Sequence, residues 1–449
     1  MKTPVSSFPV RCAVLLLAAC LSAATALAAK PPAPPLVMPD TLDLKTAIGF
    51  ALEHNFAIRQ ARERIRQQDG VVIEVTARAI PNVAAAAGYQ HNDKELSSQF
   101  PASDRYWSVS LTASQVLFAG GGVRSSMRSA ELTREAALLD LRAVINEALL
   151  SVRGIFFTVL LNREKIKVQE QNLELLQQQL KNVTNRFDAG TVSSFEKLRA
   201  EVAVANAQVP LITARNDYRL SIESLRLVLG FSTDSFVTKI PDILGTLEYT
   251  PEKYDLQAAF ETARNDRPDL QRLTKLTAAG EQSVTVARAN YYPNLYLVGG
   301  WQLRKGPTNN FADSPDGWLF GLQSQWAIFD GRATTGRVAQ ARSLLEQTRL
   351  SLTQAQLAAE VEVRRAYSSW QEATELADAS RKVVAQAEEA VRLATARYDA
   401  GTATQLDVLQ SQVDLTTART NQVQAYYNYN IAVATLRAAM GQPDAFVSN

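Results

Sequence analysis

Two stretches of this chain decide its fold: Arg186-Phe-Asp-Ala-Gly190-Thr191 and Arg397-Tyr398-Asp-Ala-Gly401-Thr402. They are nearly the same six residues, 211 positions apart. In each, a helix-forming run ends at a glycine and a hydroxyl residue follows. Glycine takes the left-handed conformation of a helix C-terminus without a Cβ clash. Thr191 to Ser194, and Thr402 or Thr404, can cap the next helix. Each stretch therefore reads as the tip of a helical hairpin. Working outwards, the spacing recurs. Leu117-Phe118-Ala119-Gly120 matches Ile328-Phe329-Asp330-Gly331, Pro81-Asn82 matches Pro293-Asn294, and Leu44 to Asn55 matches Leu256 to Asp266. The offset is 211 or 212 throughout. Landmarks in one order at one offset mark a tandem duplication. The reading is repeat 1 over 42–230, a connecting segment over 231–254, repeat 2 over 255–441 and a tail over 442–449.

Each repeat reads helix, strand, strand, long helix, tight turn, helix. No proline interrupts Gly120 to Phe187 or Gly331 to Tyr398. Each run predicts one helix of about 65 residues, roughly 98 Å at 1.5 Å per residue. That length points to coiled-coil packing. Helices near 56–79 and 194–229 would span about 36 and 54 Å, together close to one long helix. Repeat 2 offers the same pair near 268–289 and 404–439. Each chain thus supplies four staves of equal height.

Four strands are predicted between the helices, over 83–91, 105–118, 295–304 and 317–329. Trp318, Phe320, Leu322, Trp326 and Ile328 alternate with small or polar residues, as do Trp107, Val109, Leu111 and Ala113. A period of two with one apolar face over about ten residues is the pattern of a transmembrane barrel strand. Trp107, Trp301, Trp318 and Trp326 fall in these strands and read as lipid-interface aromatics; Trp370 falls in a helix. A soluble half-buried sheet would alternate in the same way. Four strands cannot close a barrel, and a membrane barrel must close to pair every backbone group. Closure needs more than one chain. Two chains give eight strands, three give twelve, and the count leaves both open.

The first thirty residues read as an export leader. Lys2 and Arg11 precede an apolar stretch, and Ala26-Leu27-Ala28 offers a cleavage site, giving a signal peptide over 1–28. Leu17-Ala18-Ala19-Cys20 also resembles a lipobox, which would place a lipid on Cys20. A Pro-rich segment follows over 29–41 and reads as a stiff linker. No later run is expected to reach the roughly 18 apolar residues of a spanning helix. Basic and acidic residues nearly cancel, 47 against 45. That balance argues against nucleic acid as a partner. The two cysteines, Cys12 and Cys20, both lie in the leader, so cleavage after Ala28 leaves no thiol for disulfides, metal sites or nucleophilic catalysis.

The whole stretch from Leu42 to Met440 resembles the TolC family of outer membrane efflux proteins. The second tip, Tyr398-Asp-Ala-Gly401 through Asp407-Val-Leu, is similar to that family's helix-turn-helix signature. The resemblance implies a mainly α fold with a small transmembrane β part. It implies a homotrimer with a 12-stranded β-barrel in outer-membrane lipid and a 12-helix α-barrel tunnel in the periplasm. Its implied partners are a periplasmic adaptor and an inner-membrane RND or ABC transporter. The tips, with Gly190, Thr191, Gly401 and Thr402, would meet the adaptor. Asp407 would ring the narrowed periplasmic entrance, with Glu196 and Tyr398 matching residues that latch it. Some members carry a second acid where this chain has Gln410, and a latching arginine where it has Ala403. The resemblance therefore carries neither the double acidic ring nor the arginine latch onto this chain.

No nucleophile–base or metal constellation stands out. His54 and His91 have no Cys, His or carboxylate at ligand spacing and read as surface residues. Gly120-Gly121-Gly122 lacks the Gly-Lys-Ser/Thr of a phosphate loop and reads, like Asp330-Gly331, as a hinge from strand to helix. No cofactor, metal or catalytic residue is expected. The rival class is a periplasmic coiled-coil scaffold without a pore, which explains the helices but not the four amphipathic strands. A second rival keeps the duct and changes its cargo, from small molecules to secreted proteins.

Overall fold

The computed structural model describes residues 39–93, 95, 104–231 and 241–444. The leader, with Cys20 and the lipidation it offers, lies outside the described residues, as do most of the Pro-rich segment and residues 445–449. The elements are β1 (Thr41–Leu42), α1 (Leu44–His54), α2 (Phe56–Thr76), β2 (Asn82–His91), β3 (Arg105–Ala119), α3 (Gly122–Asp188), α4 (Ser194–Leu229), β4 (Asp242–Ile243), α5 (Leu256–Asp266), α6 (Pro268–Ala289), β5 (Asn294–Arg304), β6 (Asp316–Gln325), α7 (Ala333–Asp399) and α8 (Gln405–Ala439). α3 and α7 each run 67 residues, about 100 Å at 1.5 Å per residue. Two one-turn 3₁₀ segments join them, Ala77–Ala79 and Phe311–Asp313.

Helices this long need neighbours along their whole length, and small residues provide close approach. Ala130, Ala136, Ala148, Ala200, Ala207 and Ala214 are buried in repeat 1, and Ala359, Ala366, Ala373, Ala418, Ala425 and Ala432 in repeat 2. In the half towards the tips the staves lie in the order α4–α3–α8–α7. In the half towards the sheet the order is α2–α3–α6–α7. The change from α4 to α2 is an end-to-end splice. Gly230 ends α4 at φ +81°, and a Cβ there would stand 2.5 Å from the His54 carbonyl oxygen. Asn55 caps α2 and donates through Nδ2 to the Val228 carbonyl at 2.8 Å. The splice of α8 to α6 repeats it. Gly441, at φ +75°, would set a Cβ 2.8 Å from Arg267 Cα, and Arg267 Nη1 donates to the Ala439 carbonyl at 3.0 Å.

Around these splices sit two apolar cores. In the first, Leu149, Val152, Phe156, Val159 and Leu160 of α3 pack against Ile48 of α1, Ile222, Leu225 and Leu229 of α4, and Leu42 and Ile243 of the parallel β1–β4 pair. In the second, Val363, Ala366 and Trp370 of α7 pack against Ala259 and Ala263 of α5 and Tyr429 and Leu436 of α8. Part of α3 is apolar enough over 18 residues to cross a membrane by composition, which corrects the expectation that no run would be. Its apolar side chains face α1, α4 and β4 instead.

The four remaining strands form one antiparallel sheet in the order β2–β3–β5–β6, with a bulge between Val116 and Phe118. The register sorts its faces. Ala85, Leu111 and Trp301 align with Trp318, and Ala87, Val109 and Leu303 with Asp316; Leu297 pairs Leu322 and Gly299 pairs Phe320 on the same side. The opposite face carries Gly88, Ser108, Ser110, Thr112, Ser114, Gly300, Gln302, Gly317, Gly321 and Gln323. The fourth strand is shorter than the predicted 317–329. Gln325 pairs with Asn294, and the next partner would be Pro293, which has no N–H to give. β2 and β6 are the open edges. In all three tiers one edge therefore belongs to β2, α2 and α4, and the other to β6 and α7. Most large apolar side chains left exposed on helices lie on these edge staves: Phe195, Leu198, Val202, Val209 and Ile212 on α4, and Leu350, Leu357, Val361, Leu376 and Val383 on α7.

Four of the left-handed glycines separate local from tertiary cost. Gly190→Ala and Gly401→Ala meet nothing within 4 Å and should lose about 1 kcal/mol, the price of φ alone. Gly230→Ala and Gly441→Ala also drive a methyl into a backbone and should lose more than about 2 kcal/mol. Thermal unfolding followed by circular dichroism should rank the pairs in that order.

Candidate functional site

The tips are built twice by one set of bonds. Gly190 N donates to the Phe187 carbonyl at 2.8 Å and Thr191 N to the Arg186 carbonyl at 2.9 Å. Gly401 N donates to Tyr398 at 3.0 Å and Thr402 N to Arg397 at 2.8 Å. These paired bonds close the last turn of α3 and α7 around a glycine at φ +74°. The Thr191 and Thr402 hydroxyls do not cap the following helices. They donate backwards, to the Arg186 carbonyl at 2.9 Å and the Arg397 carbonyl at 3.1 Å. Capping falls to Ser193, which accepts from Glu196 N, and to Thr404, which accepts from Asp407 N.

Asp407 stands three residues into α8 and closes a capping box with Thr404. The Thr404 N–H and hydroxyl both donate to Asp407 Oδ2 at 2.8 Å. Those two donors hold its carboxyl below the usual carboxylate range, so the exposed Asp407 is ionised at neutral pH. Its contribution to the cap is present above the ordinary carboxylate pKa and fades as pH falls through the depressed one.

The two hairpins of one chain lock together beside it. Arg186 Nη2 donates to Asp399 Oδ1 at 2.7 Å, and its guanidinium lies 4.8 Å from the centre of the Tyr398 ring. The Tyr398 hydroxyl reaches Glu196 Oε2 at 3.4 Å, and Gln405 Nε2 donates to the Glu196 carbonyl at 3.1 Å. Tyr398 is buried, and burial followed by the Glu196 charge pushes its phenol up from its ordinary value. Glu196 and Tyr398 thus meet each other within one chain, while Asp407 is exposed to solvent.

The four tryptophans divide. Trp318 is 84% exposed and pairs across the sheet with Trp301, whose Nε1 donates to Asp316 Oδ2 at 2.9 Å. Trp107 was expected at the lipid interface, but it is only 8% exposed. The loop after β5 folds back over it, with Phe311 at 5.9 Å between ring centres and Ser314 Oγ accepting from Nε1 at 2.8 Å. Trp326 lies just past the end of β6, and its Nε1 donates to the Tyr291 carbonyl at 3.2 Å. It belongs to the helix end of the sheet, opposite Trp301 and Trp318.

The sequence pattern described as "Outer membrane efflux protein" matches residues 47–231 and 259–442, one match for each half of the chain. The chain belongs to the outer membrane efflux protein family. Protein CyaE of Bordetella pertussis is 26% identical over 410 residues, covering 91% of this chain and 86% of its own. The cobalt-zinc-cadmium resistance protein CzcC of Cupriavidus metallidurans is 25% identical over 387 residues, covering 84% and 85%. Among solved structures, the outer membrane protein VceC of Vibrio cholerae superposes with a TM-score of 0.77 at 19% identity, over 89% of this chain and 96% of that one. The protein is thus an outer-membrane efflux channel protein, mainly helical, with the tunnel-channel fold.

In this efflux-family chain the sequence reading did not single out Arg186, Asp399 or Gln405. The Arg-aromatic-Asp run at each tip was in view, but each hairpin is local and the bond from Arg186 to Asp399 joins residues 213 apart. Arg186→Ala removes that ion pair and the contact with Tyr398, together worth about 1 kcal/mol at this exposure. Amide hydrogen exchange should speed up about fivefold at residues 186–196 and 397–407 while the thermal midpoint stays within about 1 °C.

Proposed function

We propose that the protein works as a passive duct of three copies, spanning the outer membrane with its sheets and the periplasm with its helices. The observation that carries this reading is the shared pair of open edges. In hydrocarbon no backbone group can be left unpaired, so β2 and β6 need partners from other chains. The edge staves carry their unspent apolar side chains along the same two seams. Three copies give twelve strands and twelve staves, the number the family resemblance favours. The apolar sheet face then meets lipid and the small, polar face lines the lumen.

On this reading the tips form the periplasmic entrance. Three Asp407 carboxylates would ring it, favouring cations and resisting closure through like-charge repulsion. Their ionisation at neutral pH and their exposed position support that role. Within each chain, the contacts of Arg186, Glu196 and Tyr398 would act as the latch between hairpins. The Gly190–Thr191 and Gly401–Thr402 turns would present the surface that a periplasmic adaptor meets. An inner-membrane transporter of the RND or ABC type would supply the energy. The four-part division into repeat 1, connecting segment, repeat 2 and tail follows the same duplicated plan.

The test uses purified protein in detergent and in planar bilayers. Light scattering should give three copies per particle, and Asp407→Ala should raise single-channel conductance. In whole cells a water-soluble thiol reagent should label Ser110→Cys and spare Leu111→Cys. A monomer in detergent, or equal labelling of the two cysteines, would sink the duct.

A further inference from the structure

The polar face of the sheet is almost free of charge, and its exception stands at one end. The register assigns to this face residues 82, 84, 86, 88 and 90 of β2, the even positions 106–114 of β3, the even positions 294–304 of β5 and the odd positions 317–325 of β6. Among these described residues Arg304 alone is charged. It is the last residue of β5, at the loop end, on the side away from the helices. Its backbone is fixed on both sides. It aligns with Ser108, and its N–H donates to the Pro315 carbonyl at 3.0 Å. Its neighbours on this face are uncharged: Ser108 beside it, Gln302 and Tyr106 along the strands, and Gly88 and Gly317 further off. Arg304 is exposed, and among the described residues no carboxylate pairs with it. The nearest acid in register on this side is Asp104, one position outside β3, and Asn309 Nδ2 already holds its Oδ1 at 2.9 Å.

We propose that Arg304 is a selectivity site of the outer mouth: repeated in each copy, it forms a ring of guanidinium groups that draws anionic solute, or the anionic groups of a cargo, through the last stretch of the lumen. The inference rests on the duct reading. Arginine suits this role because it stays charged at any physiological pH and presents a planar fork to carboxylate, sulfate or phosphate oxygens. With no carboxylate paired to it among the described residues and an otherwise uncharged face around it, three such charges add into one local field. The opposite face explains the placement by contrast. His91, Arg105 and Asp316 are also at the loop end, but they stand on the apolar side, with Asp316 tied to Trp301.

The experiment measures reversal potential in planar bilayers under a tenfold potassium chloride gradient, with full-length wild type, Arg304→Gln, Arg304→Glu and Arg304→Lys. The chloride-to-potassium permeability ratio should fall about threefold or more in Arg304→Gln, fall further in Arg304→Glu and stay near wild type in Arg304→Lys. The lysine variant separates charge from a folding defect. Conducting variants whose ratios all equal the wild type would overturn the selectivity site and leave the duct standing. Wild-type particles that never conduct would overturn the duct, and the site with it.

Discussion

Pairing of backbone hydrogen-bond groups in lipid is the constraint on which the rest of this molecule depends. A four-stranded sheet in water can leave its edge strands to the solvent; in hydrocarbon each unpaired N–H or C=O costs several kcal/mol. β2 and β6 therefore make a single chain an incomplete object. The helices continue the same incompleteness. α3, α6 and α8 are flanked on both sides, and their Ala-rich faces are consumed within the chain. α4 and α7 are flanked on one side, and Val202, Val209, Leu350 and Leu357 are left over. Their spacing by seven residues is that of a coiled-coil seam. In the proposed assembly one seam would run the length of the molecule, held by main-chain bonds at the lipid end and by side-chain packing at the tip end.

Matching a four-strand tier to a four-stave tier requires that the staves number four at every height. A long helix alone would leave the sheet end short, because besides its 11-residue first helix each repeat has one long helix and two shorter ones. The splices at Gly230 and Gly441 solve this by joining two short helices into one stave. The duplication is faithful where backbone contact dictates the answer: both splices use a left-handed glycine against the start of the ascending helix. It is loose where a side chain does the work. Asn55 and Arg267 reach corresponding carbonyls, Val228 and Ala439, with unlike groups. The tips show the same rule, with the turn bonds conserved between copies and the acid differing, Glu196 against Asp407.

How much of this was legible in the sequence follows from the range of the interactions. Helix boundaries were legible because glycine and proline act locally: α4 and α6 begin and end at the predicted 194–229 and 268–289. Strand alternation was legible for the same reason. The stave order was not, because it depends on which helix lies beside α3. The cover over Trp107 was not legible, because it comes from Phe311 and Ser314, some two hundred residues on. The apolar stretch of α3 is legible in composition alone, but its partners in α1 and β4 are not. At the tips, glycine and the capping pattern were readable, whereas the crossing from Arg186 to Asp399 required both hairpins at once.

The charge pattern along the proposed duct can be argued from the same geometry. Asp407 lies at the tip end and Arg304 at the loop end, separated by a helical tier of about 100 Å and a strand tier of roughly 30 Å before tilt. The Debye length at physiological ionic strength is about 8 Å. Neither group feels the other, so each sets the field at its own mouth. The otherwise uncharged polar face of the sheet suits a passive conduit, since fixed charge along the barrel would bind cargo rather than release it. The two mouths then carry opposite signs, negative at the entrance and positive at the exit. A solute bearing both charges would be attracted at each in turn, and a tenfold change in ionic strength would alter both mouths while leaving the uncharged sheet face between Arg304 and the helices unaffected.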